Sequence, residues 1–282
     1  MSIHRLGIVG SGIMGSGIAE VAAKAGVEVL LRSRQQATAD AMVAGLERSL
    51  AKQVERGKLE ETAAKEITSR VSATDDLHAL HECDLVLESV VEDLAVKKEL
   101  FTRLDDIVKP EGIIATNTST LPVVELAMAT ERPDKVCGVH FFNPAPMMSL
   151  VEIIRPLTAS DATIEAASAF ASACGKDPVE VKDRAGFIVN ALLFPYLNNA
   201  VRMLEAGTAS RDDIDTAMKG GCNFPMGPLA LLDLVGLDTS LSILDALYDE
   251  FKDPNYAAQP LLRRMVSAGK LGRKSGAGFY DY

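Results

Sequence analysis

The stretch GIVGSGIMGSGIAE, residues 7–20, decides how the start of this 282-residue chain folds. It follows a short apolar run, carries the pattern Gly10-x-Gly12-x-x-Gly15, and opens a helical pattern that continues to about Ala25. In such a loop the first glycine makes the tight turn, the second lets the backbone approach a pyrophosphate, and the third lets helix and strand pack closely. The N–H groups at the helix N-terminus are then free to bind the anion. The pattern therefore predicts a dinucleotide site.

The rest of the first half alternates short apolar runs with helical patterns. Strands separated by helices imply βαβ units, right-handed crossovers and a parallel sheet. The predicted strands are Arg5–Val9, Val27–Leu31, Asp84–Glu88, Gly112–Thr116 and Val136–His140.

Strand patterns end at about Asp183, and the remainder is helical. Gly186–Glu205, Asp212–Met218 and Leu229–Phe251 are predicted helices, interrupted by GGCNFPMGP. The predicted fold class is therefore α/β, with a Rossmann-type doubly wound sheet in residues 1–183 and an all-helical domain in residues 184–282.

Composition limits the partners and the location. The net charge of −10 argues against duplex nucleic acid or an anionic membrane as the main partner. No apolar stretch approaches the roughly 20 residues of a membrane span, and glycines interrupt the start where a signal peptide would be apolar. The four cysteines form no C-x-x-C pair, which favours a cytoplasmic protein. No metal site is predicted, because no set of His, Cys, Asp and Glu has ligand spacing.

The end of the second strand bears on the choice of dinucleotide. NAD-binding domains usually carry Asp or Glu there to accept a hydrogen bond from the ribose 2′-OH. This chain has Arg32-Ser33-Arg34 instead, and guanidinium groups suit a phosphate. We therefore expect NADP to be favoured over NAD; the alternative is that the arginines are solvated charges at a strand end.

Candidate catalytic residues follow two strand ends. His140 closes an apolar strand, and the carboxyl ends of parallel strands are where such sheets build their sites. A histidine there can exchange a proton near neutral pH, although it could also be a structural residue. Ser119 lies in TNTST after another strand. Glu152, in LVEII, is a carboxylate among apolar neighbours and needs a partner.

These residues lie in segments that resemble the 3-hydroxyacyl-CoA dehydrogenase family. The resemblance extends over nearly the whole chain and includes VLESVVEDLAVKKELF, ATNTSTLPV, GVHFFNPAPMMSLVEI, DRAGFIVNALLFPYLNNAVRMLEAG, MGPLALLDLVGLD and LGRKSGAGFYDY. It implies a histidine acid/base oriented by a glutamate, with a serine and an asparagine contacting the substrate. The implied catalytic residues are His140, Glu152, Ser119 and Asn190.

The same resemblance implies cofactor contacts. An acidic residue usual in NAD-using members is replaced here by Ser33, which weakens the transfer of NAD preference. The implied cofactor residues, together with the strand-end residues Arg32, Ser33 and Arg34, are Gly10, Ser11, Gly12, Ile13, Met14, Gly15, Glu92, Lys97, Asn143 and Lys274.

A cationic row lies on the predicted helix AMVAGLERSLAKQVERGK. Arg48, Lys52 and Arg56 recur every four residues opposite an apolar row, and like charges at that spacing disfavour an isolated helix. Such a row suits the phosphates of coenzyme A; a solvated face compensated by neighbouring glutamates is the alternative. The family resemblance implies that the CoA-binding residues are Ser49, Lys52, Arg56 and Ser119.

The resemblance implies an enzyme that interconverts acetoacetyl-CoA and 3-hydroxybutyryl-CoA, with His140 as general acid/base. It also implies a homodimer formed through the helical domain, in keeping with the long apolar faces of that domain. Two alternatives stay open. One is a dehydrogenase of free β-hydroxy acids, which uses a catalytic lysine, and the other is a non-catalytic, crystallin-like protein on the same fold.

Overall fold

The computed structural model describes residues 2–282. Contacts within the chain divide it into two compact units, with the boundary between Asp183 and Arg184. The first unit is α/β and the second is helical. The fold class predicted from the sequence is confirmed.

The first unit is built on one eight-stranded sheet. Its spatial order is β3-β2-β1-β4-β5-β6-β7-β8, and neighbouring strands are parallel except for β6 and β7. The central strands β4 and β5 are buried throughout, as expected for a parallel sheet covered on both faces. The strands are β1 Arg5–Val9, β2 Glu28–Arg32, β3 Val71–Thr74, β4 Leu85–Glu88, β5 Ile113–Thr116, β6 Val136–Phe141, β7 Leu150–Arg155 and β8 Asp177–Lys182.

Helices cover this sheet. Apolar side chains such as Ile18 on the first helix and Leu46 on the second are buried in one core with the strands. The helices are α1 Ile13–Lys24, α2 Gln36–Glu55, α3 Glu61–Ser69, α4 Leu94–Ile107, α5 Val123–Ala127 and α6 Asp161–Ala173.

The five predicted strands are present, but three further strands were not predicted. β3 has only four residues, VSAT, and little apolar signal. β8 lies at the edge of the sheet and is mostly exposed. β7 runs antiparallel to β6, so the expectation of a parallel sheet holds only for the strands that were predicted.

The second unit has its own core, formed by residues such as Phe194, Leu232 and Leu244. The single helix predicted over Leu229–Phe251 is wrong, because Gly236 adopts φ +102° and separates two helices. A lone glycine costs a helix only about 1 kcal/mol, so the sequence did not show this break. The helices are α7 Val189–Glu205, α8 Arg211–Cys222, α9 Pro228–Val235, α10 Leu237–Phe251 and α11 Pro260–Ser267.

Among residues 2–282, no helix is both long enough and apolar enough to cross a membrane.

Candidate active site

Two antiparallel strands bring a histidine and a carboxylate together. His140 on β6 pairs in register with Glu152 on β7, so the two side chains leave the same face of the sheet. His140 Nδ1 lies 2.8 Å from Glu152 Oε2, and the side chains are 5% and 0% exposed. A carboxylate at Nδ1 favours the tautomer with hydrogen on that nitrogen, which leaves Nε2 to exchange a proton.

The loop after β5 brings a hydroxyl to the other nitrogen of this histidine. Ser119 Oγ lies 3.1 Å from His140 Nε2. The loop is fixed to β6 by Asn117, whose Oδ1 accepts a hydrogen bond of 2.8 Å from the backbone N–H of Phe141. The predicted residues Ser119, His140 and Glu152 therefore form one hydrogen-bonded row.

A buried ion-pair network supports that loop. Lys97 Nζ lies 2.7 Å from Glu88 Oε1 and 3.2 Å from Glu92 Oε2. Glu92 Oε1 in turn accepts hydrogen bonds from the Thr118 hydroxyl and from the Ser119 N–H. Burial alone would raise the pKa of Glu92, but the charge of Lys97 and these hydrogen bonds lower it below its ordinary value. Glu92 is therefore ionised at neutral pH and holds Ser119 in place.

The two predicted cofactor residues in this network, Glu92 and Lys97, differ in how far solvent or a ligand can reach them. The side chain of Glu92 is 41% exposed, whereas that of Lys97 is 1% exposed and is held between two carboxylates. Glu88, which was not predicted, is fully buried. Its signal was the one used for Glu152, a carboxylate among apolar neighbours that needs a partner.

The glycine loop leaves space where a pyrophosphate would approach. A Cβ at Gly10, whose φ is +135°, would lie 2.1 Å from Ser89 O, and a Cβ at Gly15 would lie 2.7 Å from Gly10 O. A Cβ at Gly12 would meet nothing within 4 Å. Packing within the chain thus explains the first and third glycines, while the second is free to admit a ligand. This arrangement fits a dinucleotide.

A cavity of about 720 Å³ adjoins the loop, and predicted residues from Gly10 to Gly12 and from Arg32 to Arg34 line it. Ser33 is buried and its N–H donates to Thr74 O. Arg32 is half-buried, with Nε 3.3 Å from Asp75 O, and Arg34 is exposed. Val91, in the loop after β4, and Leu100, on α4, add hydrophobic side chains to the lining of this cavity.

The cationic row predicted for coenzyme A lies on α2, with Arg56 at the C-terminal cap of that helix. Lys52 and Arg56 are exposed and form no ion pair with any residue in the range 2–282. Ser49 is different, because its hydroxyl donates a 2.9 Å hydrogen bond to the buried carboxylate of Glu20. The structure thus leaves Lys52 and Arg56, two of the four predicted CoA residues, without an ion-pair partner among residues 2–282 and accessible to an anion.

The loop after β6 carries Asn143, which is exposed. Lys176, at the start of the β8 segment, fixes this loop: its Nζ donates hydrogen bonds of 2.7 Å to Ala145 O and 2.8 Å to Met148 O. Sequence reasoning missed Lys176, since a lysine beside a glycine turn usually indicates a solvated surface.

Two predicted residues belong to the second unit. Asn190 lies in the first turn of α7 and is 8% exposed. Lys274 Nζ lies 2.6 Å from Asp238 Oδ1 at the start of α10.

Comparison with known proteins identifies the family. Residues 5–184 match the family model described as 3-hydroxyacyl-CoA dehydrogenase, NAD binding domain. Residues 186–282 match 3-hydroxyacyl-CoA dehydrogenase, C-terminal domain. The chain belongs to the 3-hydroxyacyl-CoA dehydrogenase family. It is therefore an oxidoreductase of the CH–OH group with a nicotinamide dinucleotide cofactor, as the motifs implied.

Three relatives match this 3-hydroxyacyl-CoA dehydrogenase family member over 99–100% of both chains. The 3-hydroxybutyryl-CoA dehydrogenase of Clostridioides difficile is 48% identical over 278 residues, covering 99% of each chain. The crystal structure of Mycobacterium tuberculosis FadB2 has a TM-score of 0.97 at 48% identity, with 100% of both chains covered. That of (S)-3-hydroxybutyryl-CoA dehydrogenase PaaH1 from Ralstonia eutropha has a TM-score of 0.97 at 43% identity, covering 100% of this chain and 99% of the other.

Proposed function

We propose that this chain interconverts 3-hydroxybutyryl-CoA and acetoacetyl-CoA, with His140 as the general acid/base. The observation that carries the proposal is the row Ser119–His140–Glu152, with distances of 3.1 Å and 2.8 Å around one imidazole. Full-length relatives named 3-hydroxybutyryl-CoA dehydrogenase, at 43–48% identity, support this substrate.

The row performs proton transfer at one defined atom. In oxidation, His140 Nε2 accepts the proton of the 3-hydroxyl as the C3–H bond breaks and the carbonyl forms. Glu152, bonded at Nδ1, stabilises the imidazolium that results. In reduction, Nε2–H returns the proton to the developing alkoxide. When bound, the nicotinamide supplies the acceptor or donor for the hydride at C3.

Other residues position the substrate. Ser119 shares its hydroxyl between His140 Nε2 and the substrate oxygen, and Glu92 keeps the Ser119 backbone in place. Asn190 contacts the substrate carbonyl. Lys52 and Arg56 bind the phosphates of coenzyme A. Ser49, which precedes them on α2, lies in the same CoA-binding segment.

The glycine loop binds the pyrophosphate, and the end of β2 selects the cofactor. Ser33 and Arg34, with Arg32, favour NADP over NAD because they offer a hydroxyl and two guanidinium groups in place of a carboxylate. The remaining proposed contacts are Ile13, Met14, Glu92, Lys97, Asn143 and Lys274. For Lys97, whose ammonium is enclosed, the contact acts through the carboxylates that it holds.

The chain is also proposed to act as a cytoplasmic homodimer formed through the helical unit. Leu192 and Leu234 of that unit expose 72% and 48% of their surface, and apolar side chains of this kind are covered in stable dimers.

Initial rates with acetoacetyl-CoA test the function. We expect reduction with NADPH to exceed reduction with NADH, and free acetoacetate to be a poor substrate. Turnover of acetoacetate at a rate comparable to that of its CoA ester would favour the dehydrogenases of free β-hydroxy acids. No turnover with either would favour the non-catalytic alternative.

A further inference from the structure

A third arginine lines the same cavity as the strand-end residues. Arg103 lies on α4, in the unit that carries β2, and lines the same 720 Å³ cavity as Arg32 and Arg34. In the sheet order β2 and β4 flank β1, and residues of α4, which follows β4, line the cavity together with the glycine loop. Arg34 and Arg103 are both exposed.

None of the three guanidinium groups forms an ion pair with any residue of the described range 2–282. Burial lowers the pKa of Arg32, and the nearby charges of Arg103 and Arg34 lower it further, while Asp75 and Asp76 oppose them. Arg103 and Arg34 are thus both close enough to Arg32 to repel its charge.

The lining of the cavity carries one carboxylate among the described residues, Glu99, against these three arginines. The lining side chains sum to +2, Asp75 and Asp76 offset part of this charge at Arg32, and a bound anion would offset the rest at the exposed Arg34 and Arg103. A phosphate dianion does so, because each guanidinium offers paired donors to its oxygens. A ribose 2′-OH, which is neutral, leaves the repulsion in place.

We propose that Arg103 is a third ligand of the cofactor's 2′-phosphate, together with Arg32 and Arg34, and so a determinant of NADP specificity contributed by α4. This inference rests on the proposed preference for NADP. It assigns the discrimination to two elements, the end of β2 and the second half of α4, so loss of the Arg34 guanidinium alone removes only part of it.

Two ligands that differ only in this group provide the test. Adenosine 2′,5′-bisphosphate and adenosine 5′-monophosphate are titrated calorimetrically into the full-length protein. We expect the wild-type chain to bind the bisphosphate at least about 10-fold more tightly. Arg103→Met, which keeps an apolar stem, should weaken the bisphosphate about 5- to 10-fold, reduced from the buried limit by solvent screening, and change the monophosphate less than about 2-fold.

Lys98→Met is the matched control. Lys98 lies on the same helix and loses the same charge, but its Nζ is 3.1 Å from Glu125 Oε2 and it does not line the cavity. We expect it to leave the ratio of the two affinities unchanged, so a fall in that ratio would show a general charge effect and contradict the role of Arg103.

The possible outcomes distinguish a failure of this inference from a failure of the proposed preference for NADP. If Arg103→Met weakens both ligands equally, Arg103 contacts the adenine and the inference is wrong while NADP preference stands. If Arg103→Met leaves the wild-type discrimination intact, the inference is also wrong. If the wild-type chain binds both ligands equally, the NADP preference itself is wrong.

Discussion

His140 and Glu152 lie directly opposite each other on the antiparallel strands β6 and β7, with Nδ1 and Oε2 2.8 Å apart. The chain leaves β6, makes the loop that carries Asn143, and returns, so that a separation of twelve residues becomes a cross-strand contact. Because both side chains are buried, neither can satisfy its polar atoms with water. The pair therefore fixes the imidazole relative to the sheet.

Replacing His140 should remove proton transfer and little else. We expect His140→Gln to lower kcat at least about 100-fold with little change in KM for acetoacetyl-CoA, since general acid–base catalysis contributes roughly 10²–10⁴-fold. Steady-state rates with the wild-type chain as reference measure this. A variant with more than about half of the wild-type kcat would contradict the assignment.

Glu152→Gln keeps the shape of the side chain but removes the charge that stabilises the imidazolium. We expect kcat to fall at least about 10-fold. The matched control is Glu180→Gln on the neighbouring strand β8, where the carboxylate pairs with Arg155 at the surface. If Glu152→Gln lowers the melting temperature and leaves kcat unchanged, Glu152 is structural only.

The cationic row on α2 should act on the CoA substrate alone. We expect Lys52→Glu or Arg56→Glu to raise KM for acetoacetyl-CoA several-fold more than KM for the cofactor. Added salt should raise the wild-type KM for acetoacetyl-CoA, because exposed phosphate contacts are screened over about 8 Å at physiological ionic strength. Lys270→Glu, the same change at an exposed site of the helical unit, is the control. Equal effects on both KM values would indicate general damage.

The end of β2 should set the cofactor preference in kinetics. We expect Ser33→Asp combined with Arg34→Ala to favour NADH over NADPH, through lost phosphate contacts and repulsion of the 2′-phosphate by the new carboxylate. The comparison is kcat/KM with each cofactor for the double variant and for Arg34→Ala alone. Ser33 is buried, so melting temperatures must accompany the rates. A wild-type chain that prefers NADH would contradict the premise.

Glu20 on α1 should make the first unit sensitive to acid. Burial raises the pKa of its carboxyl, but hydrogen bonds from Lys24, Gln53 and Ser49 outweigh this and lower it below the ordinary 4.5. A lowered pKa in the folded state stabilises the fold at neutral pH, and this contribution is lost as the pH falls below about 4.5 through the lowered value.

We therefore expect Glu20→Gln to reduce the free energy of unfolding at pH 7 by roughly 1–2 kcal/mol. The gap to wild type should close as the pH falls toward 3, as measured by urea denaturation at a series of pH values. Glu28→Gln, at an exposed position of β2, is the control. A gap independent of pH would show that the charge of Glu20 plays no part.

The helix break at Gly236 and the antiparallel strand β7 mark where sequence reasoning failed. LVGLD continues an apolar helical period on both sides of the glycine, and only the φ of +102° ends α9 there. LVEIIR reads as an apolar strand in either direction, so its pairing with β6 was not available from the pattern. The buried pair Lys97–Glu88 was hidden for a related reason, since a lysine in a helical pattern usually lies in solvent.

The sequence by itself determined the strand–glycine loop–helix unit, the α/β and helical halves, and the chemical types at the site. These depend on the period of apolar residues and on the steric freedom of glycine, both of which are local. Only the tertiary structure decided that Glu152 meets His140 across a strand pair, that Lys97 is enclosed by two carboxylates, and that Arg103 lines the cavity of Arg34. Such contacts depend on which strands become neighbours, and burial of the whole core decides that order.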